Sequence, residues 1–256
     1  MTPATAVPLL SKEKEGILDK LRHIPVFQVL NETQLASVEP FFTQTHYAKE
    51  AIIFYEQDIP SKNGSKVYFI AEGCVKLVKY STDGESTIVR LVSSGEYFGV
   101  TGALTNRPHP FSAEALNDTT VLYINLENFR TLISKFPELA LQMLSAMGEL
   151  LWFNYSTHNQ VVKKSEARVA KIILYHLKRD GSTKTPEGYH LKIQLPHDYI
   201  ASMTGIAYEE SVRIMSRLKK QHNCIRYLRG GRIVVTNLDV LCKAAQDDEF
   251  LSEAVL

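Results

Sequence analysis

The stretch from Leu195 to Ile225, LPHDYIASMTGIAYEESVRIMSRLKKQHNCI, constrains the chain most, because it reads as helix, tight turn, helix, and the remainder reads as a device for holding it. Ile200, Ala201 and Met203 give a short apolar pattern, Thr204 and Gly205 follow, and a second periodic run starts at Tyr208. Glycine suits such a turn because a residue without Cβ adopts positive φ at little cost. In the second run Val212, Met215 and Leu218 recur at three-residue steps, with Ile214 beside them, and are expected to pack inward. Glu209, Arg213, Arg217, Lys219 and Lys220 fall elsewhere, so one face packs and the other is free to touch something.

The free face carries side chains suited to a DNA duplex. Arginine at the start of a helix in the major groove can bond guanine O6 and N7 together, and a carboxylate can accept from cytosine N4. Arg213 lies one turn after Glu209, so both reach one groove, with Tyr208 and Arg217 as further candidates. Residues 225–235, IRYLRGGRIVV, read as a hairpin turning at Gly230 and Gly231. Arg229 and Arg232 at its tip, together with His197, are expected near phosphates. An ordinary surface helix with solvated charges accounts for the helical pattern alone. With the basic hairpin directly behind it, the segment reads as a winged helix-turn-helix.

With 256 residues there is room for two modest domains, each burying its own core. A composition 45% hydrophobic and 22% charged is that of a globular chain in water. No apolar run approaches the roughly 20 residues that span a bilayer. Residues 1–10 lack the basic start and long apolar core of a signal peptide, so the cytoplasm is the expected location. Cys74, Cys224 and Cys242 are odd in number and without CxxC spacing, and read as buried free thiols rather than a disulfide framework or zinc site. Net charge is only +1, but residues 165–234 hold 13 Lys and Arg against 6 Asp and Glu, and the remainder 16 against 22. Such asymmetry is expected where one half meets a phosphate backbone.

Taken in order, residues 1–11 read as a loose tail, Lys12 to His23 as a short amphipathic helix, and Asn31 as the cap of a second helix with Gln34 at the capping-box position. From Thr43 to about Ile124 the period becomes strand-like: AIIFY, KVYFIA, VKLVKY, TIVRLV and TVLYI are separated by turn groups, which predicts an antiparallel roll of about eight strands. Asn128 to Phe136 reads as a short helix. The longest periodic segment then runs from about Glu138 to Lys164, where Leu141, Leu144, Gly148, Leu151, Tyr155, His158 and Val162 step by alternating threes and fours. A helix packed on its own roll could carry that pattern, but the seam runs beyond what one small roll covers, and a dimer coiled coil is expected. Two recognition helices would then stand about 34 Å apart, matching a palindromic site. Ser165 to Arg179 reads as a further helix, Asp180 to Gly188 as a polar loop, and Leu238 to Ala245 as a terminal helix.

Gly205, Glu209 and Arg213 stand in the order Gly, three residues, Glu, then Arg four residues later, preceded by Leu195 and Ile200 in Leu-x-x-x-x-Ile. With the strand-rich N-terminal half, the chain resembles the Crp/Fnr family of transcription regulators over nearly its whole length. The resemblance implies an α+β chain. Residues 12–136 would form an antiparallel, jelly-roll-like β-roll of the cyclic-nucleotide-binding-domain fold, residues 137–164 a dimerisation helix, and residues 165–245 a winged helix-turn-helix. It also implies double-stranded DNA with a palindromic site, a second copy of the chain and RNA polymerase as partners, a small-molecule effector, and no membrane. Tyr208 departs from the family, whose members often have Arg before the Glu, and this bears on the base read there.

In the family the roll binds its effector with a cassette opening Gly-Glu-Leu-Gly and closing Arg-Ser-Ala. Here the matching residues are Gly99-Val100-Thr101-Gly102 and Phe111-Ser112-Ala113. Val100 replaces the Glu that would hold a ribose hydroxyl, and Phe111 the Arg that would pair with a cyclic phosphate. Losing that charged fork removes the strongest phosphate contact, so cyclic AMP is expected to bind poorly or not at all. An altered, more apolar pocket would suit haem, an organic acid, an aromatic compound or no ligand. His46, His109 and His158 are the histidines to test for haem, although no spacing marks a second ligand. The family's oxygen sensors carry an N-terminal cysteine cluster, whereas the first Cys here is residue 74. Two other classes compete. A cupin-type metal enzyme needs His-x-His, which this chain lacks. A cyclic-nucleotide-binding module serving a protein partner would not need the winged segment.

Overall fold

A computed structural model describes residues 16–59, 65–81, 84, 86–105, 107–158, 164–229 and 231–246, with 153–158 described by backbone alone. The chain divides into two compact units, Met1–Glu149 and Leu150–Leu256. The first opens with α1 (Ile17–His23) and α2 (Glu32–Val38). The Asn31 side chain caps α2 by accepting from the Gln34 backbone, while the Gln34 side chain accepts from the Asn31 N–H, the reciprocal box the sequence predicts.

Eight strands follow among the described residues: β1 (Thr43–Tyr47), β2 (Ile52–Phe54), β3 (Lys66–Glu72), β4 (Cys74–Tyr80), β5 (Ser86–Ser93), β6 (Tyr97–Phe98), then α3 (Val100–Thr105), β7 (Ser112–Ala115) and β8 (Thr119–Asn125). They form two antiparallel sheets, in the orders β1-β8-β3-β6 and β2-β7-β4-β5. Strand β3 shows why its run reads as continuously apolar: Tyr68 and Ile70 face the roll interior, while Val67 and Phe69 face the helices outside. On the helix side the rings of Phe27, Phe42 and Phe69 meet at 5.0–5.9 Å between centroids, contacts that contribute about 0.5–1.5 kcal/mol per pair beyond burial.

The helix read as starting at Asn128 begins earlier. It is α4 (Leu126–Lys135), because Asn125 supplies the cap, accepting from the Asn128 N–H at 2.8 Å. The long periodic segment forms α5 (Pro137–His158), whose first residues Leu139 and Met143 are buried against the roll. Of the expected seam, Leu144, Gly148 and Leu151 are described. The side chains of Tyr155 and His158, and the whole of Val162, lie outside the described residues.

The second unit holds α6 (Ser165–Arg179), β9 (Ser182–Thr185), β10 (Gly188–Leu191), α7 (His197–Thr204), α8 (Tyr208–Lys220), β11 (Ile225–Tyr227), β12 (Ile233–Val235) and α9 (Leu238–Ala245). The segment Asp180 to Gly188, read as a polar loop, is instead part of a hairpin. Its strands lack an apolar alternation and are held by backbone pairing: Tyr189 and His190 lie opposite Val235 and Val234, giving the order β11-β12-β10-β9. A buried relay joins α6 to α7, with His176 Nδ1 2.6 Å from Asp180 Oδ2 and His176 Nε2 2.9 Å from the Tyr199 hydroxyl. Among the described residues no helix is long and apolar enough to cross a membrane.

Candidate nucleic-acid interface

Helices α7 and α8 are joined at Gly205, whose φ of +64° ends α7 in the left-handed region. The Gly205 and Ile206 N–H groups donate to the Ser202 and Ala201 carbonyls, closing the turn. On α8 the buried positions are Ser211, Ile214, Met215 and Leu218, which step by three, one and three and so line one helical face. The sequence reading placed Val212 on this face; the structure corrects it. Val212 is 39% exposed and Ser211 takes the buried place, fully covered, with its hydroxyl 3.4 Å from His197 Nδ1. A periodicity of three drifts around a helix of 3.6 residues per turn, and a small serine fits where α8 crosses α7.

Tyr208, Glu209, Val212, Arg213, Lys219 and Lys220 therefore face outward. Arg213 forms an ion pair with Glu210 one turn back. Arg217, also expected among the groove-facing residues, is half-buried and ion-paired: its Nη1 lies 2.6 Å from Glu166 Oε2 of α6, and His222 Nε2 lies 2.9 Å from the other oxygen of the same carboxylate. One acidic side chain thus clasps the last turn of α8 and the residue group behind it.

The basic hairpin forms between β11 and β12, with Tyr227 opposite Ile233. Its end closes through Leu228 N–H to the Arg232 carbonyl at 2.8 Å and Gly231 N–H to the Leu228 carbonyl at 3.0 Å. Gly231 has φ +81°, and Arg229 and Arg232 are both exposed, while Gly230 lies outside the described residues. Arg226, not singled out from sequence, forms an ion pair with Glu187 beside the β9–β10 hairpin. Only the packing of two hairpins side by side makes that pair, so no local pattern announces it.

Between the start of α7 and this wing is a cleft of about 430 Å³ lined by Gln194, Leu195, Pro196, His197, Tyr227 and Gly231. Burial lowers the His197 pKa, against the nearby Asp198 charge. Burial also pushes the Tyr227 hydroxyl up to about 12, and that hydroxyl has no hydrogen-bond partner among the described residues.

The cassette residues lie in the first unit. Gly99 (φ +81°) and Gly102 are sites of close approach: an added Cβ would sit 2.8 Å from the Tyr68 ring and 2.8 Å from His109 Nδ1 respectively. Val100 and Phe111 are half-buried, and the buried Ser112 hydroxyl already accepts from the Glu56 N–H at 2.8 Å. The interior beside them is ring-rich. Phe54 stacks on His109 at 3.9 Å and Tyr68 on Phe98 at 4.9 Å. His46 is exposed on β1. The described residues contain no cluster of three or more His, Cys, Asp or Glu suited to a metal, and Cys74, Cys224 and Cys242 are free and buried.

Residues 44–136 match the family described as cyclic nucleotide-binding domain, and residues 167–244 that described as Crp-like helix-turn-helix domain. The chain is 25% identical to the cyclic AMP receptor protein of Thermus thermophilus over 77% of its length and 86% of the relative. It is 24% identical to the global nitrogen regulator of Synechocystis over 63% of its length and 72% of the relative. Among solved structures, FixK2 from Bradyrhizobium japonicum superposes with a TM-score of 0.64 at 21% identity, covering 79% of this chain and 96% of that one. A CooA mutant from Carboxydothermus hydrogenoformans gives 0.61 at 20% identity, covering 92% of each. At these identities the likeness to the solved structures is one of fold.

Proposed function

The chain belongs to the Crp/Fnr family of DNA-binding transcription regulators, and from that premise we propose that it acts as a homodimer reading a palindromic duplex site, governed by a roll that is not built for cyclic AMP. It is a regulator and not an enzyme, as its relatives are. The observation that carries the proposal is the outward face of α8, where Glu209 and Arg213 stand exposed one turn apart beside a wing tipped by Arg229 and Arg232.

Dimerisation is supported by α5. Leu141, Leu144, Met147, Leu151 and Trp152 are all exposed in the single chain, Leu144 at 63% and Trp152 at 71%, and an added Cβ on Gly148 would meet nothing within 4 Å. A second copy pairing along that stripe would cover it. Two copies would present two reading helices, and a two-fold protein matches a two-fold site. RNA polymerase is the further partner such a regulator would address.

The relative named for cyclic AMP does not pass its ligand to this chain, because Val100 and Phe111 offer neither carboxylate nor guanidinium where the resemblance places them. Another effector would act by binding the DNA-competent arrangement better than the alternative. Selection of bound duplexes from a random pool tests the reading: an inverted repeat is expected to emerge, whereas a pool still random after repeated rounds would overturn it. Calorimetry with cyclic AMP is expected to show no tight site.

A further inference from the structure

The outward face of α8 carries two apolar side chains among its charges. Tyr208 is 54% exposed and Val212 39% exposed. Four residues apart, they lie over one another on the same side of the helix, with Cβ atoms about 5–6 Å apart. A scattered exposed valine is ordinary on a protein surface. The address of this one is not ordinary, because each member of the pair immediately precedes a member of the charged pair: Tyr208 before Glu209, Val212 before Arg213. An apolar row and a charged row therefore run side by side along one face. The Tyr208 ring is further held edge-on to His197, with centroids 6.1 Å apart, so one end of the apolar row is oriented before anything binds. Valine is also a poor choice for a solvated helix position, since its branched Cβ loses χ1 freedom there without burial in return.

In the major groove every base pair offers hydrogen-bonding groups, and thymine alone among the four bases adds a C5 methyl. A row of carboxylate and guanidinium suits the hydrogen-bonding edges of a G·C pair. An aliphatic and aromatic row beside it suits the methyl, which no charged side chain can use. We infer that Tyr208 and Val212 form an apolar seat for the C5 methyl of a thymine adjoining the base pair that Arg213 reads. The inference rests on α8 lying in the major groove, as proposed above, and adds a base identity to it.

The test removes the methyl and nothing else. In the duplex enriched by selection, each thymine of a half-site is replaced in turn by deoxyuridine, which leaves every hydrogen-bonding edge intact. One position is expected to weaken binding about three- to fivefold, the scale of one methyl withdrawn from an apolar contact. The Val212→Ala protein, whose thermal midpoint serves as the control for folding, should bind the thymine and uracil forms of that site equally. If the wild-type chain tolerates deoxyuridine at every position while Arg213→Ala still changes base preference, the seat is disproved and groove reading stands. An enriched site with no thymine beside the G·C pair also disproves it. A chain that enriches no duplex removes both readings.

Discussion

At the scale of single residues, the reading proposed above gives Arg213 and Arg232 different roles. Arg213 projects from the reading face and Arg232 from the wing end. Arg213→Ala is expected to cost about 1–3 kcal/mol on the selected site and to relax base preference, whereas Arg232→Ala should weaken all sequences alike. Competition binding against random duplex separates them, and equal losses on both duplexes for Arg213→Ala would contradict its role. In the roll, burial lowers the His109 imidazole from its ordinary value of 6.5, against the opposing charge of Asp58. The unfolded chain therefore takes up this proton first. Stability that is whole above about 6.5 is lost as pH falls through the depressed folded value. His109→Phe keeps a ring on Phe54 and removes the titration. Urea midpoints at pH 8 and pH 5.5 should fall less for this variant than for the wild type, and equal falls would count against the assignment.

Among the elements, the α7–α8 turn depends on one glycine. Nothing lies within 4 Å of a Cβ added to Gly205, so Gly205→Ala tests backbone strain alone. The positive φ is expected to cost about 1–2 kcal/mol in an unfolding titration, and an unchanged midpoint would mean the turn re-forms without it. This turn was legible from sequence because Gly205 follows an apolar pattern and precedes another. The Asn31 and Gln34 box was legible for the same local reason, as were the strand runs from Ile52 to Ile124. What escaped was set by tertiary contact. Ser211 outranks Val212 for the buried place because α8 crosses α7 there, and β9 is a strand because β10 and β12 complete its sheet. The pairing of Arg217 with Glu166 was not legible because the carboxylate is 51 positions away in sequence.

For the whole molecule, the dimer proposed above turns on the exposed stripe of α5. Leu144→Glu combined with Leu151→Glu would set like charges along the seam, and sedimentation is expected to show a monomer with much weaker binding to the selected repeat. A variant that stays dimeric would place the seam elsewhere. The Glu166 clasp carries a consequence for the energetics of the molecule on its duplex. Arg213, Arg217 and Arg226 each have a carboxylate already, so any of them that met phosphate would exchange one anion for another. The cations displaced from the nucleic acid on association should then number fewer than the basic residues of the second unit, and the logarithm of affinity should fall with the logarithm of salt less steeply than that charge count implies. Glu166→Gln releases one guanidinium from this exchange and should steepen the slope by up to about 0.9. An unaltered slope would show that Arg217 stays clear of the phosphates, leaving the clasp to hold helix to helix while the polyelectrolyte is gripped by others.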